Sequence, residues 1–129
     1  MAQVTDYAGL APVDIDYINA HATSTRRGDL SEIHALLRFL GNPPPPVPIS
    51  STKGITGHGL SMSGALEVAF CALMLKEQFI AGNPHLDNPT PEAAPLNLPL
   101  VSRLARLERI LSNSSGFGGS NVSILLEKA

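Results

Sequence analysis

Residues 16–52 read DYINAHATSTRRGDLSEIHALLRFLGNPPPPVPISST, and the change of period inside that stretch decides the fold. Asp16 to Ala22 is rich in β-formers and runs into Thr23-Ser24-Thr25, the pattern of a buried strand whose C-terminal end carries a histidine and hydroxyls. From Asp29 to Gly41 the spacing becomes helical: Leu30, Ile33, Leu36, Leu37 and Leu40 fall on one face, acids occupy the first turn, and a glycine stops the run. Pro43 to Pro46 cannot continue a helix because none of them has an N–H to donate, so they form an extended connector before a second short strand, Val47 to Thr52. Strand, helix, strand in that order predicts an α/β fold.

Working outward, the loop Lys53-Gly-Ile-Thr-Gly-His-Gly59 leads into Ser61 to Ile80, which is apolar on nearly every side apart from Glu67 and predicts a buried helix. Residues 81–100 hold five prolines in a patternless stretch, the mark of a long ordered loop packed over the domain. Glu108 to Ser115 and Ser120 to Glu127, separated by Gly116-Phe-Gly-Gly119, read as two strands joined by a tight glycine turn.

Composition bounds what such a unit does. With 129 residues, 43% of them hydrophobic, the chain has length for one domain with a real core, residues 1–129. A formal net charge of -2 with 16% charged residues gives no electrostatic reason to expect nucleic acid or an anionic membrane. The single cysteine, Cys71, excludes an internal disulfide framework and a multi-thiolate zinc site and suits a reducing cytoplasm. No signal-peptide pattern or spanning segment is present, so a cytoplasmic location is expected.

Chemistry-capable groups gather at element ends, where α/β folds place their sites: His21 with Thr23 and Thr25, Lys53 with Thr56 and His58, and the turn Gly116 to Gly119. Each has a plainer reading when taken alone. His34, mid-helix, and His85, after a proline, read as solvated or structural. Lys53 precedes its glycines and so lacks the order of a phosphate loop. The histidines have no ligand spacing that favours metal, and no metal site is expected. Cys71, inside the apolar helix, reads as a buried, inert thiol.

Three longer motifs carry more. Asn19-Ala-His-Ala-Thr-Ser-Thr25 with Gly28-Asp29, Ser51-Thr-Lys-Gly-Ile-Thr-Gly-His58, and Asn113-Ser-Ser-Gly-Phe-Gly-Gly-Ser-Asn121 resemble, in order and spacing, the C-terminal motifs of the β-ketoacyl-acyl-carrier-protein synthases. The resemblance covers Ala8 to Glu127. It implies a thiolase-like fold of two similar halves, each a mixed sheet flanked by helices, with this chain the C-terminal half only. It also implies a decarboxylating Claisen condensation in fatty-acid or polyketide chain elongation. An acyl group is held on a cysteine, malonyl thioester loses carbon dioxide, and the enolate attacks the acyl carbon.

By the same resemblance His21 and His58 are the paired donors to the thioester oxygen, in the manner of elongating synthases. Lys53 organises the site with Asp29, Glu32 and Glu67, and Thr23 and Thr25 hold the phosphopantetheine arm. The Phe117 N–H, between Gly116, Gly118 and Gly119, forms half of an oxyanion hole. No cofactor is implied beyond the phosphopantetheine that carries the substrate. The implied partners are acyl carrier protein and the half or partner chain bearing the nucleophilic cysteine, in an enzyme dimeric when complete. Without that cysteine the isolated chain is expected to be inactive. The alternative is a non-catalytic partner that binds pantetheine or resembles a chain-length factor.

Three departures belong to this sequence. Ser115 replaces a phenylalanine, Gly59-Leu-Ser-Met-Ser63 replaces a run of smaller residues, and Arg26 replaces a proline. Arg26 and Arg27 are candidates to face an acidic carrier protein.

Overall fold

The computed structural model describes residues 1–129. Its centre is a four-stranded sheet in the order β2-β1-β5-β6, built from β1 (Tyr17–Asn19), β2 (Ile49–Ser50), β5 (Arg109–Ser115) and β6 (Asn121–Glu127). β2, β1 and β5 run parallel, and β6 closes one edge antiparallel, paired from Arg109↔Glu127 to Ser115↔Asn121. The expected α/β fold with a mixed sheet is therefore present. The strand expected over Asp16–Ala22 is shorter, and Ala20 to Ala22 leave the sheet as a loop.

Period-two alternation sends successive side chains to opposite faces. On one face Ile18, Ile49 and Leu111 pack with Leu36 and Leu40 of α2 (Arg26–Leu40). On the other, Tyr17 and Ile110 pack with Cys71, Met74 and Leu75 of α4 (Ser63–Glu77). Burying each of these large side chains contributes about 1.5–3 kcal/mol. Tyr17 has its hydroxyl satisfied inside the core by Ser50 Oγ at 2.6 Å, and Ser50 donates onward to the Ala81 carbonyl at 2.8 Å.

Element ends differ from the sequence reading for identifiable reasons. α2 starts at Arg26 rather than Asp29, with the Asp29 N–H already bonded to the Thr25 carbonyl at 2.9 Å. The apolar period begins only at Leu30 and does not register that polar first turn. The helix expected over Ser61–Ile80 is α4 alone, entered through a 3-10 turn at Leu60–Met62 and followed by a short strand, β3 (Phe79–Ile80). Nor is α4 buried all round. Ser63, Glu67, Cys71, Met74 and Leu75 face inward, whereas Ala65, Ala69, Ala72 and Leu73 are exposed. Apolar composition on both faces hid which one meets the sheet.

Three elements carried no sequence signal: α1 (Ala2–Ala8), the single turn α3 (Lys53–Thr56), and β4 (Arg103–Leu104), which pairs antiparallel with β3. Residues 81–100 form the expected long connection across α2. Asn83 pins it to the sheet, donating to the carbonyls of Ile49 (3.1 Å) and Pro99 (3.0 Å) and accepting from the Ser51 N–H (3.2 Å). Beside it Gly82 is buried so tightly that a Cβ would lie 2.5 Å from the Leu100 carbonyl oxygen. No helix is long and apolar enough to cross a membrane.

Candidate active site at the C-terminal strand ends

The parallel strands β1, β2 and β5 all deliver their C-terminal ends to the same edge of the sheet, the position where open α/β sheets collect ligands. His21 lies just beyond β1, Lys53 and His58 lie beyond β2, and Ser114 and Ser115 end β5 just before Gly116. The imidazoles of His21 and His58, distant in sequence, stand edge to face with ring centroids 5.6 Å apart and planes at 89°. Both border an open cavity of about 590 Å³, with Ser63, Gly64, Val68, Ser114, Gly116 and Val122 among its walls.

The loop carrying His21 is held by a carboxylate. Glu32, on α2, accepts the backbone N–H of His21 on one oxygen and that of Ala22 on the other, each at 2.8 Å. Asn113 Nδ2 donates to the same carboxylate at 2.7 Å, and Ser123 donates to Asn113 Oδ1 at 2.9 Å. This clamp ties the loop after β1 to α2, β5 and β6, and two residues past its anchor Ser24 adopts φ 62°, a left-handed conformation. Glu32 thus serves the His21 backbone, and its hydrogen-bonding partners do not include Lys53.

Lys53 Nζ pairs with Glu67 Oε1 in the interior, with side-chain exposures of 5% and 3%. The other Glu67 oxygen accepts from Ser114 Oγ at 3.4 Å. Burial first, and then the Lys53 charge, lower the pKa of His21 below the ordinary histidine value, which keeps the ring neutral at pH 7. Asp29 shares a cavity wall with Lys53 without forming an ion pair with it; its Oδ1 is buried and unpartnered, and burial raises its pKa.

His58 is fixed from its Nδ1 side. The Leu60 N–H donates to Nδ1 at 3.1 Å, and Ser63 Oγ lies 2.8 Å from the same nitrogen. A backbone N–H only donates, so Nδ1 carries the lone pair and the ring proton sits on Nε2. Leu60 has φ 53°, a left-handed conformation that costs a leucine of order 1–3 kcal/mol.

Thr23 and Thr25 bond each other through their hydroxyls at 3.2 Å. Thr23 shares a second cavity, of about 360 Å³, with Lys53 and His58. The glycine turn is a short 3-10 segment, closed by the Gly116 N–H to the Ser120 carbonyl at 2.7 Å. Gly118 and Gly119 adopt φ 80° and 86°, values that disfavour any side chain. The Phe117 side chain is 99% exposed at its tip. Cys71 is fully buried and its thiol is pushed up to about 12, mainly by desolvation, which leaves it no nucleophilic role.

The family model described as "Beta-ketoacyl synthase, C-terminal domain" matches residues 1–87. The chain belongs to the β-ketoacyl synthase family. Among this synthase domain's relatives is 3-oxoacyl-[acyl-carrier-protein] synthase 1 of Buchnera aphidicola, 41% identical over 116 residues, covering 90% of the chain and 28% of the relative. A β-ketoacyl synthase of Burkholderia phymatum superposes with TM-score 0.91 at 36% identity over 100% of the chain and 31% of that structure. A ketosynthase complex described as a type II polyketide acyl-carrier protein with its ketosynthase bound to the hexaketide gives TM-score 0.91 at 27% identity, over 99% of the chain and 31% of that one. The synthase domain thus has the thiolase-like ketosynthase fold and spans less than a third of the length of these proteins.

The three recognised motifs supply most of the cluster. Ser63 carried no signal of its own: only the 3-10 turn at Leu60–Met62 brings its hydroxyl within hydrogen-bond distance of His58 Nδ1. Asn113 opens the third motif with no sequence signal for its role, and only its place on β5 sets it against Glu32.

Proposed function

We propose that this chain is the C-terminal domain of a ketosynthase, and that it supplies the two-histidine half of a decarboxylating condensation site for fatty-acid or polyketide elongation. The observation that carries the reading is the pair His21 and His58, 5.6 Å apart at the C-terminal ends of parallel strands and open to one cavity. When the bond from the malonyl thioester to its carboxylate breaks, the electron pair moves onto the thioester oxygen and carbon dioxide leaves. Nε2–H donors aimed at that oxygen stabilise the developing enolate most in the transition state. The enolate carbon then attacks the acyl carbon on a cysteine, the new carbon–carbon bond forms, and the cysteine thiolate leaves.

Each remaining residue has a part in this scheme. The Lys53–Glu67 pair sets the local field, in which burial and the Lys53 charge keep His21 neutral against the opposing pull of Glu67. Glu32 and Asn113 hold the His21 loop, and Asp29 supports it from the first turn of α2. Thr23 and Thr25 hold the phosphopantetheine of an acyl carrier protein, with Arg26 and Arg27 towards the carrier. The Phe117 N–H, in its Gly116–Gly119 turn, donates to the acyl oxygen.

The nucleophilic cysteine comes from an N-terminal half or a partner chain. An exposed apolar face supports its docking place: Leu60, Met62 and Leu73 around α4, with Val122 and Ile124 on the edge strand β6. Several of these residues also wall the two-histidine cavity, so a partner seated there would close it.

The test is reconstitution. The chain alone with acyl- and malonyl-carrier protein is expected to form no β-ketoacyl product, and addition of a cysteine-bearing half is expected to restore it. Restoration that persists at full rate in His58→Ala would remove the mechanistic assignment.

A further inference from the structure

We propose that Ser63 is a positioning residue for His58, donating to Nδ1 alongside the Leu60 N–H and so strengthening Nε2–H as a donor. The inference rests on the reading of His58 as an Nε2–H donor and adds a residue on which that donor depends. Ser63 opens α4 and is 5% exposed, and the His58 ring nitrogen, at 2.8 Å, is the hydrogen-bond partner of its hydroxyl. A serine in the first turn of a helix has backbone partners on offer; here the hydroxyl turns to the ring.

The direction of the bond follows from the neighbouring contact. Nδ1 already accepts the Leu60 N–H at 3.1 Å, a donor that cannot reverse, so Ser63 must donate as well. Two donors on one lone pair make an Nδ1–H tautomer untenable. Electron density drawn towards Nδ1 polarises the ring and makes Nε2–H a better donor, as in any hydrogen-bonded chain. The shorter of the two contacts is the serine's. Gly64, next along, leaves room for Ser114, whose hydroxyl would sit 3.4 Å from a Cβ there, so this turn of α4 places both the Ser63–His58 and the Ser114–Glu67 contacts. Ser63 ends the stretch Gly59 to Ser63, where this chain departs from its family's smaller residues, and the hydroxyl gives that departure a purpose.

Histidine-labelled chain, examined by long-range ¹H–¹⁵N correlation above pH 7, tests this without any condensation assay. The wild type is expected to show the Nε2–H pattern for His58, with Nδ1 shifted as a hydrogen-bonded acceptor. Ser63→Ala should move Nδ1 part of the way towards an unbonded nitrogen while the Leu60 N–H keeps the Nε2–H tautomer, and Ser63→Thr should keep the wild-type pattern. In the reconstituted enzyme Ser63→Ala should lower kcat by roughly five- to tenfold with KM unchanged, the loss of one hydrogen bond. Nδ1–H in the wild type, or ring shifts in Ser63→Ala equal to wild type, would overturn the proposal. An Nδ1 shift in Ser63→Ala without any change in kcat would leave the Ser63–His58 bond in place and count against the ketosynthase role of His58.

Discussion

Removing the Glu67 charge is the sharpest perturbation the fold offers. Glu67 and Lys53 are 3% and 5% exposed and pair directly, with Ser114 as the remaining bond to the carboxylate. Two buried charges in contact add little net stability, because desolvation offsets most of their attraction, but breaking the pair leaves one charge uncompensated, at a cost of about 3–5 kcal/mol. A small domain has about 5–15 kcal/mol in all. With a urea slope of about 2 kcal/mol/M, Glu67→Gln should lower the unfolding midpoint by about 2 M. The assay is equilibrium urea unfolding followed by circular dichroism. Replacing both partners by apolar residues, Lys53→Met with Glu67→Leu, should recover a large part of the loss, since no lone charge remains. A Glu67→Gln midpoint within about 0.3 M of wild type, or a double variant worse than the single one, would show that no uncompensated buried charge is left behind.

Other outcomes follow from the same geometry. His21 should titrate below an ordinary histidine, and Lys53→Met should move its NMR midpoint part of the way back, because the lysine charge is the second cause after burial. The sign for stability is that of a depressed base: the contribution is complete above the ordinary histidine range and is lost as pH falls through it towards the folded-state value. Cys71 should resist a thiol reagent at pH 8 in the folded chain and react fully in denaturant, as a thiol pushed up to about 12 requires. Gly82→Ala should destabilise the chain by about 1–3 kcal/mol in the urea assay, because its Cβ would meet backbone atoms of Leu100 and Val101 that cannot give way.

How much of this was legible in the sequence depends on the range of the interaction. The β1 strand, helix α2 and the β5–β6 hairpin announce themselves by period and punctuation, and the motifs around His21, Lys53 and His58 stand at the loop positions the sheet brings together. What stays hidden is short or distant. α3 is one turn containing a glycine, and β3 and β4 have two residues each, too few to show a period. Asp16 accepts the N–H groups of Glu108 and Arg109 at 2.7 and 2.8 Å across most of the chain, a contact no local pattern carries. The resemblance sets Glu32 with Asp29 and Glu67 around Lys53, but that its oxygens accept from the backbone of His21 and Ala22 is not legible, since charge type alone does not say which donor a carboxylate will meet. The exposed face of α4 was invisible for another reason, because an apolar residue awaiting a partner and one in a core have the same composition.

The most direct measurement of the central claim is the rate of carbon dioxide release from malonyl-carrier protein by the reconstituted enzyme, comparing wild type with His21→Ala and His58→Ala. If the paired histidines are preorganised donors to the enolate oxygen, each single replacement should lower that rate by about 100- to 1000-fold while acyl transfer to the cysteine continues. Decarboxylation at the wild-type rate in both variants would remove the histidine pair from the enolate-forming step.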